Sequence, residues 1–254
     1  MKFLTVLLFS NEDDLVEDQV KYYSHSETDL KVYIHNGSEG VKEKFKSLGI
    51  DFEIIPSSVN FLQNKVHEYI YSEIKKVEKN YDWIIFPESD EFLEGPDRKK
   101  SLHEYLEICD SEIIIFENYV FWFTKDDNME IESPVDRIKY YSIRPKHSDR
   151  VYAWKSGHTS VERKYSHTHK SDRLKKTTTW KSRHYEIRSN ENLISKVFSR
   201  MKVFSRDKRG HYDQMHTLLE NKSFPVIKSR ELHFDDGISD LSPVAKFDWS
   251  RVYK

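Results

Sequence analysis

From Phe3 to Phe116 the chain alternates short apolar runs with stretches of helical period, and this alternation restricts the fold more than any other feature. Phe3–Phe9 is an apolar run suited to a central strand. Asp14–Ser24 repeats Leu15, Val16, Val20 and Tyr23 at helical spacing. Lys31–His35 reads as a second strand closed by the turn Asn36-Gly37-Ser38, and Val41–Leu48 as a short helix stopped by Gly49. Phe52–Ile55 is a third strand, and Phe61–Asn80 an amphipathic helix with Val66, Tyr69, Ile70, Ile74 and Val77 on one face. Trp83–Phe86 is a fourth strand, Leu102–Cys109 a helix, and Glu112–Phe116 a strand. Such order predicts an α/β fold with a mostly parallel central sheet flanked by helices. In such sheets ligands sit at the carboxyl ends of the strands. The segments after strands one, two and four should therefore share one edge.

Beyond residue 130 the pattern is less regular. Ile138–Ile143 and Val151–Trp154 read as strands, and Glu191–Arg206 and Asp213–Glu220 as helices. No linker separates two clean domains. The expected organisation is one domain: a core over 1–206, with a first half 1–130 and a second half 131–206, and a helical C-terminal elaboration over 207–254.

Composition matters here for what it excludes. Charged residues reach 33% and mean hydropathy is -0.77, values that would suit a solvated coil, but aromatics make up 14%. That many rings call for a buried core. With seven glycines, the chain has no Gly-rich dinucleotide turn, phosphate loop or hydrolase elbow. A single cysteine, Cys109, rules out an internal disulfide and a Cys-rich zinc site. The opening Phe3–Phe9 run has the length of a signal-peptide core, yet it meets Asn11-Glu12-Asp13-Asp14 with no small-residue cleavage site, so a first strand is expected. The expected location is cytoplasmic.

The net charge of -2 conceals a division. Residues 1–130 carry 14 Lys+Arg against 28 Asp+Glu, a net of -14, and the remainder 27 against 15, a net of +12. The basic maximum is Arg163–Arg183, expected as an exposed loop. Two mutually attracting solvated faces would account for the division. So would an acidic metal-binding half beside a basic half that holds phosphates. An acidic first half repels nucleic acid. Peripheral membrane contact through the basic half is expected without an amphipathic anchor to support it.

Glu88-Ser89-Asp90-Glu91 concentrates the chemistry. Three carboxylates within four residues repel one another at the end of a buried strand. A hard divalent cation relieves that repulsion. In an extended segment, i and i+2 would point Glu88 and Asp90 to the same side. The alternative is an acidic helix N-cap at Asp90 or Glu91.

Asp82 to Leu93 resembles the metal-binding segment of family-2-like glycosyltransferases of the GT-A fold, where a "DW-hydrophobic-DxDEF" strand end carries the DxD motif. Glu88 stands where the family usually has its first Asp; Asp90, Glu91 and Phe92 match. Asn11-Glu12 resembles the family's "NE" position, and His35-Asn36-Gly37-Ser38 its "D-[DN]-x-S" nucleotide-binding turn. Arg183-His184-Tyr185-Glu186-Ile187-Arg188-Ser189, with Glu191 and Lys196, is similar to the "HY-x-[IL]-[RK]-S…E…K" segment of capsule and lipopolysaccharide-type members.

The resemblance implies transfer of a sugar from a nucleotide-diphosphate donor, of UDP or GDP type, to a glycan or lipid-linked acceptor, with inversion. It implies Mn²⁺ or Mg²⁺ held by Glu88, Asp90 and His184, with His233 a rival to His184. Asn11 and Asn36 would hold the nucleoside, and Arg188 and Lys196 the diphosphate. An inverting enzyme needs a carboxylate base. Asp213 falls at the family's position if His233 is the metal histidine; otherwise Glu117 or Glu162 is a candidate, and a helix N-cap is the plainer role for Asp213. The competing classes are a nucleotidyltransferase, which Ser10-Asn11-Glu12-Asp13 does not suit, and a glycan-binding protein without turnover.

Overall fold

A computed structural model describes residues 1–56, 63–123, 127–143, 150–157, 180–189, 192 and 233–234. In chain order the elements are β1 (Phe3–Phe9), α1 (Val16–Tyr23), β2 (Thr28–Ile34), α2 (Glu39–Ser47), β3 (Phe52–Ile54), α3 (Gln63–Val77), β4 (Trp83–Ile85), β5 (Glu91–Glu94), α4 (Leu102–Glu107), β6 (Ile113–Trp122), α5 (Pro134–Arg137), β7 (Tyr140–Ile143), β8 (Arg150–Lys155), β9 (Lys181–Ile187) and β10 (His233–Phe234). Two compact units divide the chain, Met1–Asn118 with Arg144–His184, and Tyr119–Ile143 with Tyr185–Lys254.

In the first unit β3, β2, β1 and β4 lie side by side and parallel. β8 then pairs antiparallel with β4, and Ile113–Phe116 of β6 antiparallel with β8. The sheet is thus mixed, and the expected parallel run stops at β4. A parallel neighbour needs a crossover of a dozen or more residues. Between β6 and β8 the helix among the described residues is the four-residue α5.

Alternation along β1 separates two cores. Phe3, Leu7 and Phe9 pack with Val16 and Tyr23 of α1, Val41 and Phe45 of α2, and Leu102 and Leu106 of α4. Leu4 and Val6 point the other way, onto Val66, Ile70 and Ile74 of α3. Side chains on successive residues alternate across a strand, so one apolar run seals both faces. Burial of each large side chain stabilises by roughly 1.5–3 kcal/mol. Local signals set the helix starts: the Ser38 hydroxyl accepts from the Val41 N–H ahead of α2, and Ser101 with Glu104 forms a reciprocal capping box on α4.

Two histidines close the N-terminal end of this layer. The His103 ring stands edge-on to Phe3 with centroids 4.8 Å apart and stacks on His25 at 4.7 Å. Its Nε2 lies 3.0 Å from Thr28 Oγ1. Burial, reinforced by the neighbouring His25, lowers the His103 pKa to about 4.

In the second unit β7 pairs antiparallel with Tyr119–Trp122 of β6 and with β10. Its core is aromatic: Phe121 stacks on Tyr185 at 4.7 Å and on Tyr141 at 5.3 Å. The helices expected over 191–206 and 213–220 lie outside the described residues apart from Asn192. Among the described residues no helix is long and apolar enough to cross a membrane.

Candidate functional site

Parallel pairing of β1 with β2 and β4 sends the segments after all three strands out of the same edge. The first two are bonded together. Ser38 N–H donates to the Ser10 carbonyl at 3.1 Å, and the Ser10 hydroxyl to the His35 carbonyl at 2.9 Å. Glu12 folds back so that its Oε2 accepts from the N–H groups of Ser10 and Asn11, both at 3.0 Å. Asn36 takes a left-handed conformation with φ 50, which asparagine tolerates better than most side chains. Gly37 is required, since a Cβ there would sit 2.2 Å from Ile34 Cγ2 and 2.9 Å from the Ser10 carbonyl oxygen. Asn11 and Asn36 are both exposed on this edge.

The segment after β4 is a tight turn. Glu91 N–H donates to the Glu88 carbonyl at 3.0 Å, and a strand follows. The chain therefore neither stays extended through Glu88 and Asp90 nor starts a helix there. β5 pairs antiparallel with β9, and the register places Glu91 directly opposite His184. Cross-strand partners share one face of a sheet. His184 Nε2 lies 3.4 Å from Asp90 Oδ1, and its Nδ1 lies 3.6 Å from Glu91 Oε1. Asn118 Nδ2 donates to the same Glu91 oxygen at 3.4 Å. All of these groups are buried: Asp90 is 5% exposed, His184 4% and Glu91 0%. Glu88 is only partly buried. The turn leaves Asp90 buried and Glu88 partly exposed, in place of the two side chains sharing one side of an extended segment.

Helix α1 holds β5 in place along the side away from β9. Gln19 Nε2 and the Tyr23 hydroxyl both donate to the Glu91 carbonyl, at 2.9 and 3.1 Å. The Tyr23 hydroxyl also accepts from Leu93 N–H at 2.9 Å, and the Tyr22 hydroxyl donates to the Leu93 carbonyl at 2.7 Å. Burial, with Glu94 beside it, pushes the Tyr22 phenol up to about 12, and burial drives Tyr23 well above its usual range. Both therefore stay protonated and remain donors. Arg183 completes the frame, 2.7 Å from Glu94 and lying over the rings of Tyr22 and Phe92.

Two side-chain donors, Asp90 and His184, meet at this turn, and no group of three His, Cys, Asp or Glu side chains with metal-binding geometry occurs among the described residues. The carboxylate suits a hard cation such as Mg²⁺ or Mn²⁺, while the imidazole is the more usual ligand of softer divalent ions. Mg²⁺ is held by one or two carboxylates plus substrate phosphates and water rather than by a full protein cage, at about 2.1 Å. Adjacent ligands on an octahedral ion at that distance lie about 3.0 Å apart, so Asp90 Oδ1 and His184 Nε2, 3.4 Å apart, would have to draw together by a few tenths of an ångström to share one.

Arg188, read as a diphosphate clamp, is fully buried in the second unit, where its Nη1 donates to the Tyr185 carbonyl at 3.0 Å. Of the rival histidine His233, the backbone is described, in β10 of the second unit. Lys196, Asp213, Glu162 and most of the Arg163–Arg183 basic segment lie outside the described residues. Glu117 is half-buried in β6, its N–H bonded to the Trp180 carbonyl at 2.9 Å. Residue patterns missed β5, β9 and the Gln19–Tyr22–Tyr23 frame. A cavity of about 380 Å³ in the first unit is lined by Tyr22, Glu94, Arg98, Lys100 and neighbours, and neither Asp90 nor His184 borders it.

No family model matches the chain, and no curated protein does. The solved structures to which the chain is similar include the following three. One is described as a nucleotide-diphospho-sugar transferase from Desulfovibrio desulfuricans, at 13% identity over 48% of this chain and 60% of that one, with a TM-score of 0.31. The second is a glycosyltransferase involved in glycosylation of the major capsid of PBCV-1, at 12% over 46% of this chain and 52% of that one, TM-score 0.23. The third is a mannose-1-phosphate geranyltransferase from Thermus thermophilus, at 11% over 88% and 66%, TM-score 0.30. This chain thus spans less than two thirds of the length of each of the three.

Proposed function

We propose that the chain is a glycosyltransferase that moves a sugar from a nucleotide-diphosphate donor to a glycan or lipid-linked acceptor, assisted by Mn²⁺ or Mg²⁺ and with inversion. The observation that carries this is the meeting of Asp90 and His184 beside the carboxyl edge of β1, β2 and β4. Asp90 and His184 would hold the cation, with Glu88 at the start of the same turn. When bound, the cation supplies Lewis-acid neutralisation of the charge that builds on the departing pyrophosphate. The chain's own part is positional. Asn36 and Asn11 present side-chain amides from two loops that are hydrogen-bonded into one piece, suited to a nucleoside. The α1 frame fixes the backbone that aims Asp90.

The test is a melting curve with UDP or GDP, with and without Mn²⁺. At a hundredfold excess over Kd the expected stabilisation is about 2.7 kcal/mol, or a rise of about 5–10 °C. Asp90→Ala should abolish it. Wild-type protein that no nucleotide with metal stabilises would overturn the proposal. A second reading, a glycan-binding protein without turnover, is favoured by the near-closure of Asp90. Hydrolysis of a nucleotide sugar by the purified protein separates the two.

A further inference from the structure

His184 stands between two buried carboxylates, with Asp90 Oδ1 at 3.4 Å from Nε2 and Glu91 Oε1 at 3.6 Å from Nδ1. A neutral imidazole carries one ring proton, so one carboxylate receives an N–H and the other faces a lone pair. Nδ1 has no hydrogen-bond partner among the described residues, so a proton on it would need an acceptor brought to it. Glu91 is placed to be that acceptor by backbone register, as the cross-strand partner of His184, and Asn118 steadies the same oxygen. At 3.6 Å the contact is longer than a hydrogen bond, so the two side chains must approach for Glu91 to accept from Nδ1. We infer that Glu91 is a positioning residue: it holds the His184 proton on Nδ1, so that Nε2 keeps its lone pair on the Asp90 side, available to a divalent cation. This rests on the reading of Asp90 and His184 as the cation site. Metal-bound histidines commonly pass their other N–H to a carboxylate in this way.

Two measurements test it. The first is the tautomer of His184 in long-range proton–nitrogen spectra at about pH 8.5 with Mg²⁺ present, the signal assigned by its loss in His184→Gln. Wild-type protein should show the Nδ1–H form. An Nε2–H form overturns the inference without any Glu91 variant being needed. The second is Mn²⁺ affinity by electron paramagnetic resonance. Glu91→Leu, which removes the acceptor, should weaken binding about 10–100-fold, and Glu91→Gln, which keeps an oxygen, should recover part of the loss. Unchanged affinity in Glu91→Leu, with weakened binding in His184→Gln, overturns the role of Glu91 and leaves the cation site standing. Unchanged affinity in both Asp90→Ala and His184→Gln overturns the cation site, and the inference falls with it.

Discussion

β1 and β5 belong to the same unit and are held in opposite ways. β1 has a parallel strand on each side and apolar side chains on both faces. β5 has a strand on one side, while on the other its carbonyls and N–H groups are met by the side chains of Gln19, Tyr22 and Tyr23. Beside it stand Asp90, Glu91 and His184, groups whose burial opposes folding unless they are well partnered. β1 therefore stabilises the unit, and β5 fixes a buried polar turn at some expense of stability.

Three experiments sharpen or break this contrast. Leu7→Ala hollows the α1–α2–α4 face and should cost about 2–5 kcal/mol in urea denaturation. A cost under about 1 kcal/mol would mean β1 is not the stabilising strand. Acid should find a polar weak point near β1, the buried His103. The folded-state pKa of His103, about 4, lies below its ordinary value of 6.5, so the unfolded chain takes the proton first. This contribution is intact above about pH 6.5 and is lost as pH falls toward 4, by up to about 3 kcal/mol. Denaturation midpoints across that window check it, and His103→Gln should flatten the slope. Tyr23→Phe is the smallest change. It strips β5 of one donor and one acceptor and should cost about 1–2 kcal/mol by thermal unfolding. A larger loss than that of Leu7→Ala would reverse the comparison.

Much of the first unit was legible because its signals are local. Phe3–Phe9 reads as a buried strand from its run of apolar residues, and it seals two cores as that run requires. Ser38 and Ser101 mark helix starts within three residues of the groups they cap. The turn at Glu88–Glu91 was legible as a carboxylate cluster but not as a shape. Its geometry depends on the register of β5 against β9, and Lys181–Ile187 opens with four consecutive polar residues at the end of a basic stretch, with no apolar run to betray a strand. Arg188 shows the same limit. Its charge suggested phosphate, while its burial and its bond to the Tyr185 carbonyl are set by tertiary packing.

The frame around β5 draws on distant parts of the chain. Gln19, Tyr22 and Tyr23 precede the carbonyls they bind by 72, 71 and 68 residues. His184 arrives from the other direction, far downstream of its partner Glu91. Contacts of such long separation must close large loops before they return any energy. The shape of the acidic turn is thus postponed in the folding reaction: helices and the β1–β2 pair have the shorter loops to close, while the turn is completed only once both remote ends have been gathered in.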